Sequence, residues 1–211
     1  MKERKNQYLK YILILLSAIG ATIISLLVYN NGTAPLAIDV SVRDFFISIR
    51  APFLNGLVIA LTHCGDTLTI VALCAILLVL PSRKKYGIPV SLAALTGLAI
   101  YKPMKHLFLR ARPEQVFHLI EQGGYSFPSG HSVTSVVVYG LLLYLIGKHC
   151  KNPALRKCLS AVCLIFALFI GPSRLYVGVH WFSDVVCGML IGLMVMTIYI
   201  LLLEKLEEKK H

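Results

Sequence analysis

Apolar residues run through this chain in long blocks separated by short basic or glycine-containing breaks. The first block extends from Tyr11 to Tyr29, and about 20 such residues are needed to cross a bilayer as a helix. Its basic flank (Lys2, Arg4, Lys5, Lys10) has the layout of a secretory signal. The block is too long for an h-region, however, and no A-x-A-like site follows, so an uncleaved first span is expected. A second apolar region, from about Leu54 to Leu80, is interrupted by His63-Cys64-Gly65-Asp66. That length is too great for one span, so the pattern predicts a short interfacial helix and then a span beginning near Asp66. Asp66 would be its N-cap, accepting from the early helical amides. Further spans are predicted at about 88–107, 131–146, 157–170 and 180–203. The expectation is a six-span, all-α transmembrane bundle forming a single integral membrane domain, residues 1–211.

Composition agrees with burial in lipid. Hydrophobic residues make up 57% of the chain and charged residues only 15%, against about 45–50% and about 25% in soluble domains. These values exclude a water-soluble enzyme and a disordered chain. The six cysteines form no C-x-x-C pair, and several lie inside apolar runs. They are read as small packing residues, not as a zinc site or disulfide framework.

Charge adds orientation. Lys and Arg number 21 against 10 acidic residues, a net +11. With six spans, fourteen of the basic residues fall on one face: the N-terminal segment, Arg83-Lys84-Lys85, the 148–157 loop and the C-terminal tail. By the positive-inside rule that face, and both termini, are expected to be cytoplasmic. Seven remain opposite: Arg43, Arg50, Lys102, Lys105, Arg110, Arg112 and Arg174. Lys102 and Arg110 are read as snorkelling to headgroups. The rest work against insertion bias and need another reason to be there. Nucleic-acid binding does not supply it, because these cations adjoin membrane-boundary motifs and no soluble domain.

Three clusters lie on that outer face. Lys105 precedes Arg112-Pro113 by seven residues, nearly two helical turns, so the two cations are expected on one side of a helix that Pro113 ends. Pro128-Ser129-Gly130-His131 stands directly before an apolar span, where helix-start amides and the helix dipole favour an anion. Ser173-Arg174 is followed by His180 and Asp184, whose i, i+4 spacing places them on one face of a helix. A carboxylate beside an imidazole fixes the tautomer and leaves one nitrogen as base or nucleophile, and Arg174 offers a planar fork for phosphate. Cations, amides and two histidines on one leaflet are the inventory of phosphoryl transfer: fixed positive charge for the equatorial oxygens, an attacking group and an acid for the leaving oxygen. No carboxylate cluster has metal-ligand spacing, so a metal-independent mechanism is expected.

These residues carry a resemblance. K-x6-R-P, P-S-G-H and S-R-x5-H-x3-D, with every position and spacing matched, resemble the type 2 phosphatidic acid phosphatase (PAP2) superfamily of membrane lipid phosphatases. The resemblance implies an all-α bundle related to vanadium haloperoxidases and a phosphohistidine intermediate without cofactor or metal. His180 would be the nucleophile, oriented by Asp184, and His131 the general acid. Lys105, Arg112, Arg174, the Ser129 side chain and the Gly130 amide would hold phosphate, with Pro113, Pro128 and Ser173 supporting the pocket. The compact basic chain looks like bacterial members. A lipid phosphate or diphosphate would then be hydrolysed at the extracytoplasmic face of the plasma membrane. Undecaprenyl diphosphate, the cell-wall carrier, is favoured, with phosphatidylglycerophosphate and phosphatidic acid close behind. No required protein partner is expected. Two readings stay open beside this one: a lipid phosphotransferase, and a non-catalytic lipid-phosphate binder or transporter. Gly123-Gly124-Tyr125 either shapes the entrance or is an ordinary flexible turn.

Overall fold

The structure, a computed structural model, describes residues 2–209, with side chains from Asn6 onward. The Lys2, Arg4 and Lys5 side chains and Lys210, which entered the charge count, lie outside the described residues. Eight α-helices occur in the order α1 (Lys2–Asn30), α2 (Ala37–Ser48), α3 (Pro52–His63), α4 (Thr67–Val79), α5 (Gly87–Phe108), α6 (Gly130–His149), α7 (Pro153–Tyr176) and α8 (Phe182–Glu208). A short 3-10 turn covers Gln115–Phe117, and no strand occurs among the described residues.

Helix α6 is the hub, packed against α5, α7 and α8. Its inner positions Val133, Val137, Val138, Leu141 and Leu145 are buried with Val90 and Ala93 of α5, Ile170 of α7 and Ile191 and Val195 of α8. Close approach of α8 requires Gly188: a Cβ there would lie 2.6 Å from the Ser129 carbonyl oxygen and 2.9 Å from Ser132 Cβ. Small residues at such crossings let backbones touch where lipid offers no hydrophobic drive to association. Helix α1 rests on α8 and leaves most of its apolar surface exposed.

Four helices (α1, α6, α7, α8) are long and apolar enough to cross a membrane, and α3 with α4 makes a fifth if that pair, bent by 49°, is one span. The break falls at the expected place. The span expected after it does not stand alone, because the 13 residues of α4 reach only about 20 Å against a core of about 30 Å. The span expected at 88–107 is present as α5, but it falls short of the apolarity of the other four.

The two ends of the bundle differ in chemistry. At one end Lys10 of α1 pairs with Glu204 of α8, Lys148 of α6 pairs with Glu207, and Tyr86 of the α4–α5 turn packs edge-on against His149. The four expected basic segments therefore share this end. The three motif clusters gather at the other.

Candidate active site

Helix α5 stops at Phe108, and Leu109 takes a left-handed conformation (φ 47°) with its amide bonded to the Lys105 carbonyl at 3.1 Å. For a branched residue this is strained, on the order of 1–2 kcal/mol. The turn sends Arg110 inwards, so Lys105 and Arg112 do not share a helix face as expected, and Pro113 is not what ends the helix. Lys105 is on the last turn of α5 and Arg112 is on the following loop. Both reach the segment Gly123–Ser126: Lys105 Nζ donates to the carbonyls of Tyr125 (2.7 Å) and Ser126 (3.1 Å), and Arg112 Nε to that of Gly124 (2.9 Å).

Arg110 is not a snorkelling residue. Fully buried, it donates to Asp184 Oδ1 at 2.6 Å, Ser183 Oγ at 2.7 Å and Asp39 Oδ2 at 2.7 Å. Asp39 and Asp184 each sit at the third position of a helix, α2 and α8, and accept from the backbone amide just before it, Leu36 and Trp181 respectively. One guanidinium thus joins two helix starts. Its Nε has no partner, and the two carboxylates offset the desolvation of the charge.

His180 lies before α8, in the turn after α7, and not on the helix with Asp184. The contact survives: His180 Nδ1 is 3.2 Å from Asp184 Oδ2, which also accepts from the Ser126 hydroxyl and, at 2.8 Å, from the Trp181 amide. Nε2 faces Arg112 at 3.1 Å. Burial, then the charges of Arg112, Lys105 and Arg174, push the His180 imidazole well below its ordinary range, so the ring is neutral at pH 7. With Nδ1–H given to Asp184, Nε2 carries the lone pair, which accepts from Arg112 Nη1. Burial brings Arg112 down to about 10, which leaves it charged at neutral pH. Trp181, the single tryptophan, precedes Phe182 and donates its indole N–H to the Ala111 carbonyl at 2.9 Å, which ties α8 to the Arg112 loop.

Ser129 is the N-cap of α6: its Oγ accepts from the Ser132 hydroxyl at 2.9 Å, and its amide donates to the Asp184 carbonyl at 3.0 Å. Gly130 and His131 then form the first turn. His131 Nε2 lies 2.8 Å from Asp66 Oδ1. Asp66 does precede α4, but its side chain caps no amide there. Arg174 is buried behind the site, with Nη1 on Thr62 Oγ1 at 2.9 Å, Nη2 on Gln122 and Nε without a partner.

A cavity of about 190 Å3 brings the predicted residues together: Lys105, Arg112, Gly130, His131 and His180 line it, with Gly123–Tyr125 at its wall. Asp184, Ser129 and Arg174 stand behind this lining. Ser173, bonded to the Ile170 carbonyl, and Pro113, whose carbonyl faces His118, are structural neighbours. Pro128 is buried beneath the site. Lys105, Arg112 and Arg174 have no carboxylate partner among the described residues, whereas Arg110 has two. Of the other outer-face cations, Arg50 binds the Tyr176 and Phe117 carbonyls, Arg43 pairs with Asp44 and stacks on Phe117, and Lys102 is exposed. Sequence reasoning missed Asp39, Ser126, Ser183, Gln122 and Thr62; of these only Asp39, an acid within an apolar segment, carried a signal. An apolar crevice of about 310 Å3 between α4 and α5 shares Thr67, Tyr101 and Thr134 with the polar cavity.

Comparison with known proteins gives this geometry a lineage. A family model described as the PAP2 superfamily matches residues 86–208, which hold all three motif clusters. Phosphatidylglycerophosphatase B of Bacillus subtilis (strain 168) is 31% identical over 162 residues, covering 74% of this chain and 78% of that protein. An undecaprenyl-diphosphatase of Sulfolobus acidocaldarius is 28% identical over 192 residues, covering 89% and 87%. Among solved structures, the transmembrane PAP2-type phosphatidylglycerolphosphate phosphatase from Bacillus subtilis superposes with a TM-score of 0.75 at 26% identity, covering 93% of this chain and 96% of that one. The chain therefore belongs to the PAP2 superfamily and is a multi-pass membrane protein of its lipid phosphatase class.

Proposed function

We propose that the chain hydrolyses a lipid phosphate or diphosphate at the extracytoplasmic face of the plasma membrane, through a phosphohistidine on His180. The observation that carries this reading is the convergence of Lys105, Arg112 and His131 on one cavity with a neutral, carboxylate-bound His180. The Nε2 lone pair forms the N–P bond as the P–O bond to the leaving group breaks, and His131 gives its proton to the departing oxygen. Water then attacks phosphorus, its proton passes to His131, and the N–P electron pair returns to Nε2 as inorganic phosphate leaves. Lys105, Arg112 and the amides at the start of α6 face the equatorial oxygens, with Arg174 behind them. The apolar crevice beside the cavity suits the substrate's hydrocarbon tail, which would enter from the membrane between α4 and α5. The names of the relatives support undecaprenyl diphosphate and phosphatidylglycerophosphate as substrates; we favour the first.

The test is purified protein in detergent with EDTA, offered undecaprenyl diphosphate, phosphatidylglycerophosphate and phosphatidic acid while inorganic phosphate is counted. Release from at least one lipid is expected. No release from any would refute the phosphatase reading, and a magnesium requirement would refute the mechanism.

A further inference from the structure

The turn at the α3–α4 break is built around His131. Asp66 occupies the N-cap position of α4 yet spends its carboxylate elsewhere: Oδ1 lies 2.8 Å from His131 Nε2 and Oδ2 lies 2.7 Å from His63 Nδ1. Gly65 leaves no room for a side chain, since a Cβ there would meet Ile170 Cγ2 at 2.5 Å and His131 Cδ2 at 2.9 Å. The Tyr139 hydroxyl of α6 donates to the Cys64 carbonyl at 2.7 Å. Ile170 of α7 and Tyr139 of α6 therefore hold this turn against the imidazole. Arg112 shares the cavity lining with that ring. Asp66 is the one carboxylate that touches it among the described residues. Because Oδ1 engages Nε2, Nδ1 is the nitrogen left to the cavity.

We propose that Asp66 is the positioning carboxylate of His131, holding the ring by Nε2 so that Nδ1–H protonates the leaving oxygen. The inference rests on the lipid phosphatase reading above and adds a residue that lies outside the three motif clusters. The site then contains two carboxylate–imidazole pairs with opposite duties. Asp184 orients the ring that attacks, and Asp66 orients the ring that gives the proton. His63 holds the second oxygen of Asp66 and fixes the plane of the carboxylate.

A positioning residue for an acid shows itself in leaving-group dependence, which a structural role would not produce. Full-length wild type, Asp66→Asn, Asp66→Glu, His131→Ala and the double variant Asp66→Asn/His131→Ala are compared in detergent. One substrate is an alkyl lipid phosphate, whose alkoxide needs a proton. The other is a nitrophenyl phosphate ester, whose phenolate does not. Asp66→Asn is expected to lower kcat on the alkyl substrate by about 10–100-fold with KM little changed. Its loss on the nitrophenyl ester should stay within about 3-fold, because the acid contributes little there. In the double variant the alkyl rate should fall no further than in His131→Ala, the behaviour of groups acting as a unit.

Equal losses on both substrates, or a further loss in the double variant, would overturn the proposal. The Asp66 side chain is 38% exposed, so its replacement leaves little buried charge uncompensated. Should Asp66→Asn still fail to fold, as judged by its melting in detergent, Asp66→Glu must show the same selective loss at smaller size, and an unselective loss or none refutes the assignment. Wild type that releases phosphate while Asp66→Asn matches it on both substrates defeats this inference alone. Wild type that releases none defeats the phosphatase reading and this inference with it.

Discussion

Arg110→Leu removes the charge that holds two buried carboxylates. Arg110, Asp39 and Asp184 are all inaccessible to solvent, and the guanidinium contributes three bonds of 2.6–2.7 Å. Replacing the cation leaves Asp39 with hydroxyl and amide donors alone, and Asp184 with those and the His180 Nδ1–H. Breaking a buried pair in this way costs about 3–5 kcal/mol, because the remaining charge stays desolvated. At about 1.4 kcal/mol per tenfold, this is two to three and a half decades in the folding equilibrium. That is a large share of a total stability of about 5–15 kcal/mol. Arg110→Lys should lie between wild type and Arg110→Leu, because an ammonium lacks the planar fork that spans Asp39 and Asp184 together. Replacing acid and base together, in Arg110→Leu/Asp39→Leu, should recover part of the loss. The assay is thermal unfolding in detergent, followed by the fraction eluting as monodisperse protein after each temperature step. An Arg110→Leu protein that melts with wild type, or a double variant no better than the single, would refute the argument that this guanidinium holds the two helix starts together.

Three other outcomes follow from the same geometry. Asp184→Asn, which keeps the shape but not the charge beside His180, should reduce phosphate release by about 10²–10⁴-fold in protein that still folds; near-wild-type turnover would refute its orienting role. Because His180 titrates well below its ordinary value of 6.5, the acid limb of kcat/KM assigned to the nucleophile should lie below pH 6.5. A pH–rate profile on a nitrophenyl phosphate ester, which needs no protonated acid, checks this, and an inflection at or above 6.5 would contradict it. Gly188→Ala places a methyl 2.6 Å from the Ser129 carbonyl oxygen, so α6 and α8 must part. A loss of about 1–3 kcal/mol is expected from such overpacking, together with reduced turnover because Ser129 and Gly130 move with the start of α6; a neutral result in both melting and rate would show that the crossing gives way.

The sequence disclosed those parts of the site whose chemistry is local. Lys105, Arg112, Gly130, His131 and His180 stand in short patterns with fixed spacing, and all five line one cavity. It concealed what depends on contacts between distant segments. Arg110 beside a span end has the pattern of a headgroup-seeking residue, and nothing near it in the chain reveals Asp39, 71 positions away. Asp66 before an apolar run reads as a helix cap for the same reason, although its partner is His131, 65 positions on. The helix assumed between Lys105 and Arg112 failed at Leu109, whose left-handed turn no propensity signals. The start of α8 at Phe182 was not legible either: the i, i+4 spacing put His180 on the helix with Asp184, and the N-cap is Trp181, which has no capping side chain. The clustering of hydrophobic runs gave the helices, whereas span number depends on how the α3–α4 bend and α5 sit in lipid.

The indole of Trp181 gives the molecule a built-in optical reporter. The chain has no other tryptophan, and this one is almost wholly shielded from water while its N–H holds the Arg112 loop through Ala111. Its emission should therefore be blue-shifted, and it answers to a single location. Arg112 Nη1 donates to the Val179 carbonyl at 2.6 Å and faces His180 Nε2, and an oxyanion that draws it away from both changes the polarity around that ring. Titrating phosphate or vanadate against this fluorescence measures occupancy of the cavity with no label, no turnover and no lipid.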